Sequence, residues 1–96
     1  TTYTSKDVLN EMLPFFTEYY GNPSSVHQFG REVKKSIDVA RARVAKAIGA
    51  LPEEIYFTAG GSEADNLAIK GVAYANKSKG NHIITSKIEH PAVIQT

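Results

Sequence analysis

One short segment and one histidine carry the groups best suited to chemistry. Ala59-Gly60-Gly61-Ser62 combines two glycines with a hydroxyl, and His90 can give and take a proton near neutral pH. The glycines let the backbone approach a ligand without a Cβ in the way. A helix that begins near Ser62 would add free N–H groups and the positive end of its dipole, which together suit a phosphate.

Each of these residues also has a purely structural interpretation. Ser62 with Asp65 resembles a capping box, in which the turn only starts a helix. The glycine spacing matches neither G-x-G-x-x-G nor G-x-x-x-x-G-K-[ST], so neither nucleotide-binding motif is assigned. A lone histidine such as His90 fits a helix cap or a surface position as well as a general acid or base. Phosphate binding and a structural turn therefore both stay open at this level.

The remaining composition indicates no metal centre and no charged partner. His27 and His82 each stand alone, and no paired His, Asp or Glu has ligand spacing. The chain has no cysteine, which excludes disulfides and thiolate ligands within it. With 11 basic and 10 acidic residues, the net charge of +1 gives no argument for nucleic acid or an anionic membrane. No apolar run could span a bilayer and no secretory signal is evident, so we expect a soluble cytoplasmic protein.

Apolar periodicity in the first half predicts two helices. One covers Lys6–Tyr20 and should be kinked or shortened by Pro14. The turn-forming run Gly21–Ser25 separates it from a long helix over Val26–Ile48, which Gly49 should end. The predicted N-caps are Ser5 for the first helix and Ser24 or Ser25 for the second.

The second half reads as strand, glycine-rich turn, helix and strand. Ile55–Thr58 and His82–Thr85 are the predicted strands, with a helix of small residues between them and a further helix beginning at Pro91. This order predicts an α/β fold with a parallel βαβ unit preceded by two helices. Because ligands bind beyond the carboxyl ends of parallel strands, Ser62 and His90 should meet at one rim. Two strands make too small a sheet, so the domain is expected to be incomplete.

Three segments resemble those of a known family. Gly21-Asn22-Pro23-Ser24-Ser25-Val26-His27-Gln28-Phe29-Gly30 resembles the G-N-P-S-S-x-H-x-x-G segment of cysteine desulfurases, in the class V aminotransferase group. Residues 54–71 are similar to that family's strand, phosphate-binding turn and helix. Residues 82–93 are similar to its next strand and E-H motif, and Thr1-Thr2 to the end of its opening A-T-T motif. The resemblance covers essentially the whole chain, in order.

The resemblance implies a cofactor site. Residues 1–96 would form the N-terminal part of the large domain of a pyridoxal-phosphate transferase. Gly61 and Ser62 would bind the cofactor phosphate through backbone amide and hydroxyl, and His90 would stack on the pyridine ring and assist proton transfer. The family often has Ala and Thr where this chain has Gly61 and Ser62; the hydroxyl is kept, while the added glycine should loosen the turn.

The resemblance also implies a reaction. The parent protein would convert L-cysteine to L-alanine and pass the sulfur, as a persulfide, to iron–sulfur cluster assembly, as a homodimer with a scaffold or sulfur-acceptor protein. The family's Schiff-base lysine lies downstream of the E-H motif, so neither Lys70 nor Lys87 is assigned that role. Without it and without a cysteine, these 96 residues alone are expected to be inactive. The alternatives are another class V lyase, such as a selenocysteine lyase, and a non-catalytic phosphate-ligand-binding or assembly domain.

Overall fold

The described residues fall into two compact units. A computed structural model describes residues 2–96; one unit ends at Ile55 and the other covers Tyr56–Thr96. Thr1, the first residue of the Thr1-Thr2 pair, lies outside the described residues. The first unit contains α1 (Lys6–Met12), α2 (Pro14–Thr17), α3 (Gln28–Ile48) and a 3-10 turn (Pro52–Glu54). The second contains α4 (Gly61–Ala75), a 3-10 turn (Lys77–Lys79) and α5 (Pro91–Ile94).

Pro14 divides the first predicted helix in two. The Ser5 side chain accepts a hydrogen bond from the backbone N–H of Val8, which confirms the predicted cap of α1. α1 ends at Met12, and α2 begins at Pro14 itself, where the missing N–H costs nothing because a first-turn N–H has no intrahelical acceptor. The predicted shortening by Pro14 is therefore confirmed.

The long helix α3 ends as predicted but is capped by a different residue. His27 is the N-cap, and its Nδ1 accepts from the Gly30 N–H at 3.4 Å, so the expectation of a Ser24 or Ser25 cap was wrong. At the other end Gly49 adopts φ 71° and ψ 29°, the left-handed conformation that terminates helices. The Ala50 N–H then closes back onto the Ala45 carbonyl at 2.9 Å.

The loop before α3 folds tightly against the first turn of that helix. The Asn22 side chain accepts from the Ser24 N–H at 2.9 Å, and the Asn22 carbonyl accepts from the Ser25 N–H at 3.0 Å. A Cβ on the buried Gly30 would lie 2.4 Å from the Ser25 carbonyl oxygen and 2.6 Å from that of Asn22. The ring of Phe29, the residue before Gly30, stacks on the ring of Tyr20, and the two ring centroids are 6.4 Å apart. The G-N-P-S-S-x-H-x-x-G segment is thus a folded structural unit in which Gly30 leaves room for the loop.

The predicted α/β fold with a parallel βαβ unit was wrong. Residues 2–96 contain no strand, and the segments predicted as strands, 55–58 and 82–85, are irregular. Their β-branched and aromatic side chains give β propensity, but a strand exists only where a neighbouring strand accepts and donates its backbone hydrogen bonds. Neither segment is paired as a strand within residues 2–96. In the same part of the chain, no helix has both the length and the apolar character to cross a membrane.

Each unit buries very little apolar surface. In residues 2–96 the buried positions are Gly30 and Ala45, both in the first unit, and Ala45 is the buried apolar side chain at 1% exposure. Large apolar side chains are mostly exposed, including Ile84 at 87% and Ile88 at 94%. Burial of apolar surface is the dominant favourable term in folding, at about 25 cal/mol per Å². Little of that term is present in either unit.

The small amount of buried apolar surface predicts that the 96-residue chain has a low free energy of unfolding by itself. We expect a broad thermal transition at low temperature, or self-association through the exposed apolar side chains, because so little surface leaves water on folding. Circular dichroism melting combined with analytical ultracentrifugation checks this. A monomer that unfolds cooperatively at high temperature would contradict it.

Candidate functional site

The turn that leads into α4 is held by two side chains. The Thr58 hydroxyl donates to the Gly60 carbonyl at 3.1 Å, and the Glu63 carboxylate accepts from the Ala59 N–H at 2.8 Å. Gly60 is the N-cap, and no side chain caps the helix there, so the suggested capping box of Ser62 and Asp65 was wrong. The first N–H groups of α4 therefore lack the capping acceptor that many helices supply.

The backbone at this turn is accessible. A Cβ built on Gly60 or on Gly61 would meet no other described atom within 4 Å. Gly61 is the first residue of α4 and Ser62 the second, and both are exposed. An anion can therefore approach the N–H groups and the Ser62 hydroxyl, where the helix dipole favours negative charge.

His90 lies at the start of another helix in the same unit. It is the N-cap of α5, and its Nδ1 accepts from the Ala92 N–H at 3.1 Å. Pro91 is the first helical residue, as predicted. Because Nδ1 is an acceptor, the neutral imidazole carries its proton on Nε2. The preceding loop is fixed by the Ser86 hydroxyl, which donates to the Glu89 carboxylate at 3.0 Å.

Ser62 and His90 line one surface depression. Its volume is about 370 Å³, and its other lining residues are Asn66, Pro91, Ala92, Gln95 and Thr96. Gly61 precedes Ser62 in the chain but does not itself line the depression. Apart from the imidazole of His90, the lining has no acidic or basic side chain, so no side-chain carboxylate of the lining opposes a phosphate. The structure thus brings together Ser62 and His90, two of the three residues singled out in the sequence, and the third, Gly61, precedes Ser62 in the chain.

Asn66 is a lining residue that the sequence analysis did not single out. Its Nδ2 donates to the Ser62 carbonyl at 3.0 Å, and its Oδ1 accepts from Lys70 Nζ at 2.8 Å. The available signal was spacing, since Asn66 stands four residues after Ser62 and so shares its helix face. Lys70 and Lys87 do not line the depression.

The other histidines have different surroundings. His27 caps α3 in the first unit, and its ring meets that of Phe29 edge-on with centroids 6.2 Å apart. His82 lines a second, larger depression of about 550 Å³ beside the C-terminal half of α4, whose surface is mostly apolar. Residues 2–96 contain no group of three or more His, Cys, Asp or Glu side chains placed to hold a metal ion.

Comparison with known proteins identifies the family. The protein-family model described as Aminotransferase class-V matches residues 1–96, which is the entire chain. The chain belongs to the class V aminotransferase family. Among its relatives in this family, cysteine desulfurase IscS of Clostridium botulinum is 65% identical over 96 residues, and that of Methanosarcina thermophila is 55% identical over 96 residues.

Two solved structures have a similar backbone. A NifS-like protein is 42% identical with a TM-score of 0.86, and covers 99% of the chain. SspA, in a structure in complex with cysteine, is 41% identical with a TM-score of 0.83, again over 99% of the chain. The chain spans 26% and 27% of these two proteins, and 24% of both curated desulfurases. The matched part of the desulfurases is their N-terminal part.

Proposed function

We propose that these residues are the N-terminal part of the large domain of a pyridoxal-phosphate-dependent cysteine desulfurase, with Gly61, Ser62 and His90 at the cofactor. The observation that carries the proposal is the shared depression, because Ser62 and His90 are far apart in the sequence yet line the same volume of about 370 Å³. Relatives that are 65% and 55% identical over the chain are cysteine desulfurases, which supports the reaction class.

The residues around the depression fit the phosphate of this cofactor. An uncapped helix N-terminus, an exposed serine hydroxyl and open space over Gly61 are features that suit a phosphate. In the proposed site Gly61 and Ser62 donate to the phosphate. The turn behind them is held by the hydrogen bonds of Thr58 and Glu63, so these donors are in place before any ligand binds.

A hydrogen bond from the Ala92 N–H to Nδ1 fixes the orientation of the His90 imidazole. The Ala92 N–H holds Nδ1, which leaves the proton on Nε2 for exchange with a bound group. When bound, pyridoxal phosphate supplies an electron sink for chemistry at an amino acid. In this proposal His90 would hold the cofactor ring by stacking and would assist proton transfer at Nε2.

The proposed substrate is L-cysteine. Its sulfur is transferred to the thiolate of a protein cysteine, which becomes a persulfide, and L-alanine is the other product. This chain has no cysteine, so the sulfur-carrying thiolate belongs to another part of the gene product. Neither Lys70, whose ammonium bonds Asn66, nor Lys87 is proposed as the cofactor-linked lysine. The gene product is proposed to act in the cytoplasm as a homodimer with an iron–sulfur scaffold or another sulfur acceptor.

Absorbance and product assays test this function. We expect the complete gene product to bind pyridoxal phosphate with a visible absorbance band and to form L-alanine and sulfide from L-cysteine with a reductant present. The 96-residue chain should give no stoichiometric, borohydride-trapped adduct at one lysine, because the cofactor-linked lysine lies elsewhere. Faster turnover of L-selenocysteine than L-cysteine would favour a selenocysteine lyase. A gene product that binds the cofactor and turns over neither amino acid would favour a non-catalytic domain.

A further inference from the structure

A line of three hydrogen-bonded groups runs along one face of α4 toward the depression. Lys70 Nζ donates to Asn66 Oδ1 at 2.8 Å, and Asn66 Nδ2 donates to the Ser62 carbonyl at 3.0 Å. Residues four apart on a helix are neighbours, so Ser62, Asn66 and Lys70 follow one another along a single stripe. Asn66 also lines the depression that contains Ser62 and His90.

These bonds determine which way the Asn66 carboxamide faces. An ammonium group only donates, so its partner on Asn66 must be the oxygen, and the nitrogen is then directed to the Ser62 carbonyl. The NH₂ group has two hydrogens, and the Ser62 carbonyl uses one of them. The second remains as a donor on a residue that lines the depression, and the cation at Oδ1 polarises the amide so that this donor is strengthened.

We propose that Asn66 is a further binding residue for the anionic group held at Ser62, and that Lys70 is a positioning residue that fixes the Asn66 carboxamide. This inference rests on the proposed function, in which that anionic group is the cofactor phosphate. Asn66 is partly buried and lines the depression, whereas Lys70 is exposed and does not line it. Lys70 therefore acts through Asn66 and not by contact with the ligand.

The test compares the affinities of the complete gene product, freed of cofactor, for pyridoxal phosphate and for pyridoxal, which lacks the phosphate. Asn66→Ala should weaken pyridoxal phosphate binding about 10- to 100-fold, the effect of one hydrogen bond to a charged group. Asn66→Asp should weaken it further, because a carboxylate replaces the donor and repels the phosphate. Pyridoxal affinity should stay within about 2-fold in both variants, since the lost contact is to the phosphate.

Two comparisons separate ligand binding from a structural role. Asn76 donates from Nδ2 to the Val72 carbonyl at 2.9 Å, the same backbone contact at the other end of α4, so Asn76→Ala is a matched control that should leave both affinities unchanged. Lys70→Met should weaken pyridoxal phosphate about 2- to 3-fold, and Lys70→Arg should restore it, because a cation again holds Oδ1. The exposed Lys70 variants keep the inference testable if an Asn66 variant does not fold.

The outcomes distinguish this inference from the proposed function. If Ser62→Ala weakens pyridoxal phosphate binding and Asn66→Asp does not, the role of Asn66 is overturned while the site stands. Equal losses for pyridoxal and its phosphate in the Asn66 variants would also overturn it, since they indicate a structural role. A gene product whose affinity is indifferent to both Ser62→Ala and Asn66→Asp, or that binds no pyridoxal phosphate, overturns the proposed site and this inference together.

Discussion

Replacing His90 with asparagine in the complete gene product is expected to lower turnover of L-cysteine by about 10²- to 10⁴-fold, the range for loss of a positioned acid or base. The imidazole lines the depression beside Ser62, and its Nε2 carries the exchangeable proton in the proposed site. Asparagine removes the ring and the proton. It keeps a side-chain acceptor at a position where asparagine is among the best helix caps.

The cap of α5 is the reason for choosing asparagine. His90→Ala would also remove the acceptor of the Ala92 N–H, at a cost of about 1 kcal/mol for the helix start. If His90→Asn loses as much turnover as His90→Ala and keeps the melting temperature of the unmodified protein, the loss belongs to the ring and not to the cap. His82→Asn is the matched control, because His82 is exposed and does not line this depression. Turnover in His90→Asn close to that of the unmodified protein would contradict the role of His90.

Gly30→Ala is expected to destabilise the complete gene product by about 1–3 kcal/mol or more, the cost of overpacking a tight site. The new Cβ would lie 2.4 Å and 2.6 Å from two backbone carbonyl oxygens, those of Ser25 and Asn22, and 2.8 Å from the Ser25 Cβ. Backbone atoms cannot rotate away as a flexible side chain can. The loop must move off α3, which disturbs the Asn22 turn and the His27 cap.

Thermal or urea unfolding measures this effect, and Gly61→Ala provides its control. Gly61 also stands in the first turn of a helix, but its Cβ would meet nothing within 4 Å. We therefore expect Gly61→Ala to be neutral or stabilising by up to about 1 kcal/mol, because alanine is the better helix former. Equal unfolding midpoints for Gly30→Ala and the unmodified protein would show that the loop does not need the space that Gly30 leaves.

Helix positions in this chain were predictable because their signals are local. Pro14, Gly49 and Pro91 act on the backbone at their own positions, and the structure places helix boundaries where they predict. The caps were less predictable, because several residues before a helix can supply an acceptor and folding selects one. His27 caps α3 where Ser24 or Ser25 was expected, and no side chain caps α4, for which a cap by Ser62 had been one of two open interpretations.

The absence of strands from residues 2–96 was not predictable from the same kind of signal. Ile55–Thr58 and His82–Thr85 have the side chains of strands, but strand formation depends on a partner that the segment itself does not encode. Part of the candidate site was predictable from the sequence, because residue type alone singles out the glycines, the Ser62 hydroxyl and the His90 imidazole. Asn66 could not, because its importance depends on the bonds to Lys70 and the Ser62 carbonyl, which exist only in the folded helix.

In the proposed site, the start of α4 would hold the phosphate and the imidazole of His90 would hold the pyridine ring of one cofactor molecule. A crystal structure of the complete gene product with pyridoxal phosphate tests it most directly. We predict that the phosphate lies within hydrogen-bond distance of the Ser62 hydroxyl and the first amides of α4, with the imidazole against the pyridine ring. A cofactor bound away from Ser62, or a ring with no contact to His90, would contradict the claim.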